Sequence, residues 1–210
     1  MVSLQQLSTV VVVCGSFMQK NMDIIEIFEK NNGFLRAKDL TLRNQWDQLK
    51  ALIDSNVVIK LKSGLYCLQQ YDITDQNREV AQMAPSGVFC LFTAWQYYNL
   101  TVNNPYEYHI AIKREEKIHL PDYPPIKIYR WNEKFYNLGI VEIDSIKVYD
   151  LEKSVCDAVR FRNKVGIDVT IEVVKNYVQR RKDRNFDKLT KYSSQLKIEK
   201  TMQSIILPML

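Results

Sequence analysis

Four carboxylates, Glu142, Asp144, Asp150 and Glu152, fall within positions 142–152, near Lys147 and Lys153. Converging carboxylates hold a magnesium ion, and a lysine beside them completes the donor set of a metal-dependent nuclease. The same residues flank turns between short strands, where charges mark solvent-facing positions. The nuclease is therefore carried as an alternative. His109 lies in the apolar run Tyr108-His109-Ile110 and reads as a core or edge residue, while His119 follows a charged loop and reads as exposed. The four cysteines, Cys14, Cys67, Cys90 and Cys156, form no C-x-x-C pair. A closed zinc site wants closely spaced Cys or His pairs, and a chain of this length builds a core without disulfide staples. Buried, reduced thiols in a cytoplasmic protein are expected. The six glycines form neither a G-x-x-x-x-G-K-[ST] nor a G-x-G-x-x-G phosphate cradle, and no G-x-S-x-G elbow occurs. No catalytic residue, metal or cofactor is expected.

A second group of residues suits contact with nucleic acid. Gln45 and Gln48 are one helical turn apart, and glutamine makes paired hydrogen bonds to adenine. Arg43, Asn44 and Lys50 flank them and suit phosphate contacts. Lys60, Lys62 and Ser63 lie on a hairpin, and Arg36 and Lys38 lie at the start of a short helix. The elements that would position them follow from periodicity. Ile24, Ile25, Ile27 and Phe28 predict an amphipathic helix stopped by Asn31-Asn32-Gly33. Phe34 and Leu35 read as a link, and Ala37 to Leu42 as a second, short helix. Residues 45–56 read as a third, with Trp46, Leu49, Leu52 and Ile53 on its apolar face. Val57, Ile59 and Leu61 alternate with Val58, Lys60 and Lys62 as a strand. Ser63-Gly64 turns it, and Leu65 to Leu68 return. Helix, short helix, helix and basic hairpin is the order of a winged helix-turn-helix, with the third helix as recognition helix.

The chain as a whole is expected to be α+β: an N-terminal winged helix-turn-helix followed by a mixed α/β C-terminal domain. Residues 1–18 read as an extension, 19–75 as the DNA-binding domain and 76–210 as the second domain. Met18 or Met22 is an alternative start. The apolar stretch from Leu7 to Met18 is broken by Ser8, Thr9, Gly15 and Ser16, so neither a signal peptide nor a membrane span is expected. Val88 to Leu100 reads as one apolar helix. Strands follow at Tyr108 to Lys113, Ile126 to Trp131 and twice within Ile140 to Tyr149, in a mostly antiparallel sheet. Helices follow from Leu151, Asp168 and Phe186, with a last apolar segment from Thr201.

Three stretches resemble the AbiEi family of antitoxins. They are DIIEIFEKNNGFLRAKDL (23–40), LIDSNVVIKLKSGLYCL (52–68) and IKVYDLEKSVCDAVRFRNKVGIDV (146–169). The last resembles the family's strand, D-L-E-K-S/T-x-x-D helix and basic exit, and PSGVFCLFTAWQYYNLT (85–101) fits the helix that follows its P-x-G. The likeness spans roughly residues 20–200. It implies a winged helix that binds operator DNA, inverted repeats upstream of its own operon, and represses it. It also implies a C-terminal domain that counteracts an AbiEii-type nucleotidyltransferase toxin in phage abortive infection, without a stable complex between the two. A winged-helix regulator responsive to a ligand or a protein remains the second alternative.

The formal net charge of +5 is unevenly placed. Residues 19–76 hold eight basic and eight acidic side chains, although Arg36 to Cys67 hold six against three. Residues 160–200 hold twelve against five, a local excess of seven that exceeds the chain total. Arg160, Arg162, Lys164, Arg180, Arg181, Lys182 and Arg184 therefore predict a second basic surface.

Overall fold

The computed structural model describes residues 22–70, 76–180 and 182–210, in two compact units, 1–76 and 77–210. The expected N-terminal extension and Arg181 lie outside the described residues. The class is α+β.

The first unit begins with α1 (Met22–Lys30), whose Ile24, Ile25 and Phe28 are buried. Asn32 and Gly33 take positive φ, and the Gly33 amide closes back on the Phe28 carbonyl at 2.7 Å, which ends the helix in a left-handed C-terminal turn. Phe34–Arg36 is a strand, β1, rather than a link, because its backbone pairs with β3 (Leu65–Leu68) through Leu35 and Tyr66. The short second helix contracts to one 3-10 turn, Ala37–Asp39. Then come α2 (Arg43–Asp54) and β2 (Val58–Lys62). The antiparallel sheet runs β1-β3-β2, with a register shift between Lys60 and Lys62. Ile24, Phe28, Leu35, Leu49, Leu52, Val58 and Leu68 make one apolar cluster. Burying each such side chain contributes about 1.5–3 kcal/mol, enough to hold short elements together.

The second unit opens with α3 (Gln76–Met83). The expected helix over 88–100 is instead the two-residue strand β4 (Val88–Phe89) followed by α4 (Leu91–Tyr97). Its first residue pairs with Ala111 and its second lies between Ile110 and Val148, so β4 sits mid-sheet. Gly87 permits that approach: a Cβ there would stand 2.4 Å from Ile110 Cγ2. Next are β5 (Tyr108–Lys113), β6 (Ile126–Trp131) and the short α5 (Glu133–Tyr136). β7 (Ile140–Ile143) and β8 (Ile146–Tyr149) form a hairpin whose turn residues Asp144 and Ser145 both have positive φ, as a two-residue type I′ turn demands. The strand order is β6-β5-β4-β8-β7. The sheet is mixed rather than mostly antiparallel: β4 with β8 and β5 with β6 run parallel.

Four helices close the unit: α6 (Leu151–Val165), α7 (Ile167–Gln179), α8 (Phe186–Gln195) and α9 (Glu199–Ile206). Alternation along the strands divides the core. Val88, Ala111 and Tyr149 join the cluster of α6–α9, while Phe89, Ile110, Ile112, Ile146 and Val148 join Val80 and Ala84 at α3.

Candidate functional site

The N-terminus of α2 sets the geometry of the first unit's exposed surface. Gln45, at the third helical position, turns back so that its Oε1 accepts hydrogen bonds from the Thr41 and Leu42 amides at 2.9 and 3.0 Å. Those donors would otherwise lack intrahelical partners. The side chain is 6% exposed, so Gln45 is a helix clamp and not a reader of bases. Its burial rotates the helix relative to the sequence expectation. The buried face is Gln45, Leu49 and Leu52, and Trp46, expected in the core, is 45% exposed beside Leu42. Gln48 is only partly exposed and lies next to the buried face.

At about 100° per residue, Arg43, Asp47, Lys50 and Asp54 share the opposite side, with Asn44 and Trp46 flanking. All six are exposed. Among the described residues, Arg43, Asn44, Asp47 and Lys50 have no side-chain hydrogen bond or ion pair. The signal for this arrangement was present in the sequence as Leu42-Arg43-Asn44-Gln45, a glutamine three residues after the first non-helical position.

The strands supply the rest. Arg36 on β1 and Lys62 on β2 both face Leu65 on the central β3, so two cations flank one position. Burial first, and then the Arg36 charge, holds the Lys62 ammonium below its ordinary value. Lys38, Lys60 and Ser63 are exposed.

Gln45→Ala should therefore destabilise residues 22–68 by about 1–2 kcal/mol through the lost clamp, while Trp46→Ala should cost less than about 1 kcal/mol. Hydrogen exchange on peptides from each unit measures both separately. Equal protection in Gln45→Ala and wild type would mean that the clamp adds no stability.

In the second unit most of the expected basic surface is used internally. The Arg180 guanidinium donates to the Tyr98 carbonyl at 2.6 Å and pairs with Asp183. Arg184 donates to the Val178 carbonyl and lies over the Phe186 ring, which satisfies the end of α7. Arg162 bonds the Val159 carbonyl at 3.0 Å, and Arg160 stacks 4.1 Å from the Phe135 centroid. Lys164 and Lys182 remain exposed. Lys175, Lys191, Lys197 and Lys200 are exposed as well, so exposed lysines carry the charge excess of this stretch while four of its arginines are bonded or stacked within the unit.

The acidic cluster does not converge either. Glu142 stands across from Lys147 in the β7–β8 hairpin, and Asp144 occupies its turn, both exposed. Asp150 and Glu152 are buried. Asp150 caps α6 by accepting the Lys153 amide at 2.8 Å, and accepts from Tyr192 Oη at 3.0 Å. Glu152 accepts the Asn185 amide at 3.0 Å, and Lys188 Nζ lies 3.1 Å from Asp150 and 3.6 Å from Glu152. Among the described residues no three His, Cys, Asp or Glu side chains group to hold a metal ion. Gly139 packs against this corner with φ +75°, and a Cβ would stand 2.8 Å from Lys153 Cβ.

The least expected feature is an ion pair with no exposure. Lys153 Nζ lies 2.7 and 2.6 Å from the Asp157 carboxylate oxygens, and 4.2 Å from the ring centroids of both Trp131 and Tyr149. Both side chains are 0% exposed, and burial pushes the Asp157 carboxyl up against the pull of Lys153. No helical-wheel reading reveals this, because a lysine and an aspartate four apart on a helix more often form a solvated pair.

His109 is 3% exposed, between Phe92 and Tyr129, with Nδ1 3.1 Å from Tyr129 Oη and Nε2 3.5 Å from Glu107 Oε1. Burial pushes it down to about 4 from 6.5, against the pull of Glu107. The folded state thus prefers the neutral ring, and its stability falls as pH drops from about 6.5 towards about 4. Over that window the loss is roughly 3 kcal/mol, and His109→Gln should abolish it. Denaturant midpoints at both ends of the window, wild type against variant, check this; parallel pH dependence in the two proteins contradicts it.

Burial raises the Cys90 and Cys156 thiols, and those two and Cys67 are buried and outside any disulfide. Among the described residues no helix is long and apolar enough to cross a membrane. No protein-family model matches the chain, and no curated protein matches it.

Proposed function

We propose that the protein is a sequence-specific DNA-binding regulator whose first unit acts as a winged helix-turn-helix, and that it serves as the antitoxin and autorepressor of an AbiEi-type pair. The observation that carries the DNA reading is the order α1, β1, 3-10 turn, α2, β2, β3 with strands arranged β1-β3-β2. That order leaves one face of α2 exposed beside a hairpin bearing Lys60, Lys62 and Ser63. A helix of this kind enters the major groove, and the hairpin meets the backbone beside it. Arg43, Asn44 and Lys50 belong to the contact face; Gln45 supports it from within.

The antitoxin reading rests on the ordered AbiEi-like stretches. Their D-L-E-K-S-x-x-D run does definable physical work in this chain. Asp150 caps α6, Glu152 anchors the start of α8, and Lys153 and Asp157 fill the space under Trp131 and Tyr149. The functional partner would be a nucleotidyltransferase toxin encoded beside it. Co-expression tests this: the chain should restore growth to cells expressing that toxin, and should retard the DNA upstream of its own operon in a gel. Failure to restore growth removes the antitoxin role, and failure to bind removes the repressor role. No second reading is favoured, since the carboxylates a nuclease would need are separated or internally bonded.

A further inference from the structure

The exposed face of α2 carries two carboxylates where phosphate attraction alone would call for cations: Asp54 is the last residue of the helix, and Asp47 stands mid-helix between two cations. Asp47 lies four residues after Arg43 and three before Lys50, all exposed and without a side-chain hydrogen bond or ion pair among the described residues. It is past the first turn, so helix capping does not account for it. A carboxylate brought against a polyanion is repelled unless it accepts a hydrogen bond there. In the major groove the base-edge donors are the amino groups of cytosine and adenine. Adenine sets its acceptor N7 beside its amino group, and a carboxylate, which only accepts, is repelled by it. Cytosine has a C–H, its C5, where adenine has N7; the acceptor on the other side of its N4, the paired guanine O6, corresponds to thymine O4 beside adenine N6.

Along the helix axis Arg43 and Lys50 are about 6 and 4.5 Å from Asp47, or one to two base steps. Both are donors suited to guanine O6 and N7.

We infer that Asp47 reads the N4 amino group of a cytosine, and that Arg43 and Lys50 read guanines within two base pairs of it on either side. This rests on the DNA-binding reading and narrows its target to a G·C-containing core.

The test is selection by the full chain from a randomised duplex library, followed by binding titrations on the enriched duplex and its single-base variants. Wild type should enrich a cytosine at one position, and replacing it by thymine should weaken binding about tenfold or more. Asp47→Ala should erase that penalty while binding unrelated duplex as tightly as wild type or tighter. Asp47→Asn, which keeps the shape, should shift the preference towards adenine. If wild type enriches a motif and Asp47→Ala keeps every positional preference, the inference fails and the DNA-binding reading stands. If wild type enriches no motif, both fall.

Discussion

Asp157→Ala should destabilise the second unit by about 3–5 kcal/mol, because it leaves the Lys153 ammonium buried without its counter-charge. The side chain has no exposure, its two short contacts with Asp157 are lost, and only the faces of Trp131 and Tyr149 remain. Water cannot substitute without opening the packing of β6 and β8 on α6. Lys153→Met should be milder in acid than at neutral pH. Burial already raises the Asp157 carboxyl, so the unpaired acid becomes neutral as pH falls. Replacing both residues, as Lys153→Met with Asp157→Leu, should recover most of the loss, since apolar groups of similar volume need no partner. Hydrogen exchange over residues 77–210 reads all three variants without requiring the whole chain to unfold in one step. A double variant as unstable as Asp157→Ala would mean that the pair's charge has a role beyond filling the core.

The second large effect concerns DNA. Lys60→Ala together with Lys62→Ala should weaken binding to every duplex by roughly 10- to 100-fold, and should flatten the dependence of affinity on salt by about two ions released. The reasoning is geometric. Lys60 is exposed on β2, and Lys62 stands across β3 from Arg36, so the hairpin presents positive charge beside α2. Phosphate contacts carry no sequence information, so the preferred sequence should not change. Titrations at two salt concentrations decide this. A double variant that alters sequence preference, or leaves the salt slope unchanged, would move the backbone contacts off the hairpin.

Elements with strong local signals were legible in the sequence. α1 ends at Asn32 and Gly33, the β2–β3 hairpin turns at Ser63-Gly64, and α6 begins after Asp150. β1 and β4 were not legible, because three and two residues show no period; tertiary pairing alone makes them strands. Trp46 and Gln45 exchanged places for a definite reason. Hydrophobicity assigns tryptophan to the core, but the carboxamide of Gln45 is bound to the helix N-terminus, and that bond carries its stem inward. The cationic run after Arg160 was legible as charge but not as packing. Charge counts do not see that arginines satisfy carbonyls at helix ends, as Arg184 does at Val178. Lys153 and Asp157 stand four apart on α6, and their spacing alone said nothing of burial.

On the proposed reading, the first unit binds duplex DNA in a sequence-dependent way through the exposed face of α2. The most direct measurement is the equilibrium affinity of the full chain for DNA upstream of its own operon, against a scrambled duplex of equal length, for wild type, Arg43→Ala and Gln48→Ala. Wild type should bind the upstream DNA more tightly, a discrimination that Arg43→Ala should reduce and that Gln48→Ala, whose side chain lies next to the buried face, should largely preserve. Equal affinity of wild type for the two duplexes, or discrimination that survives Arg43→Ala and is lost in Gln48→Ala, would contradict that reading.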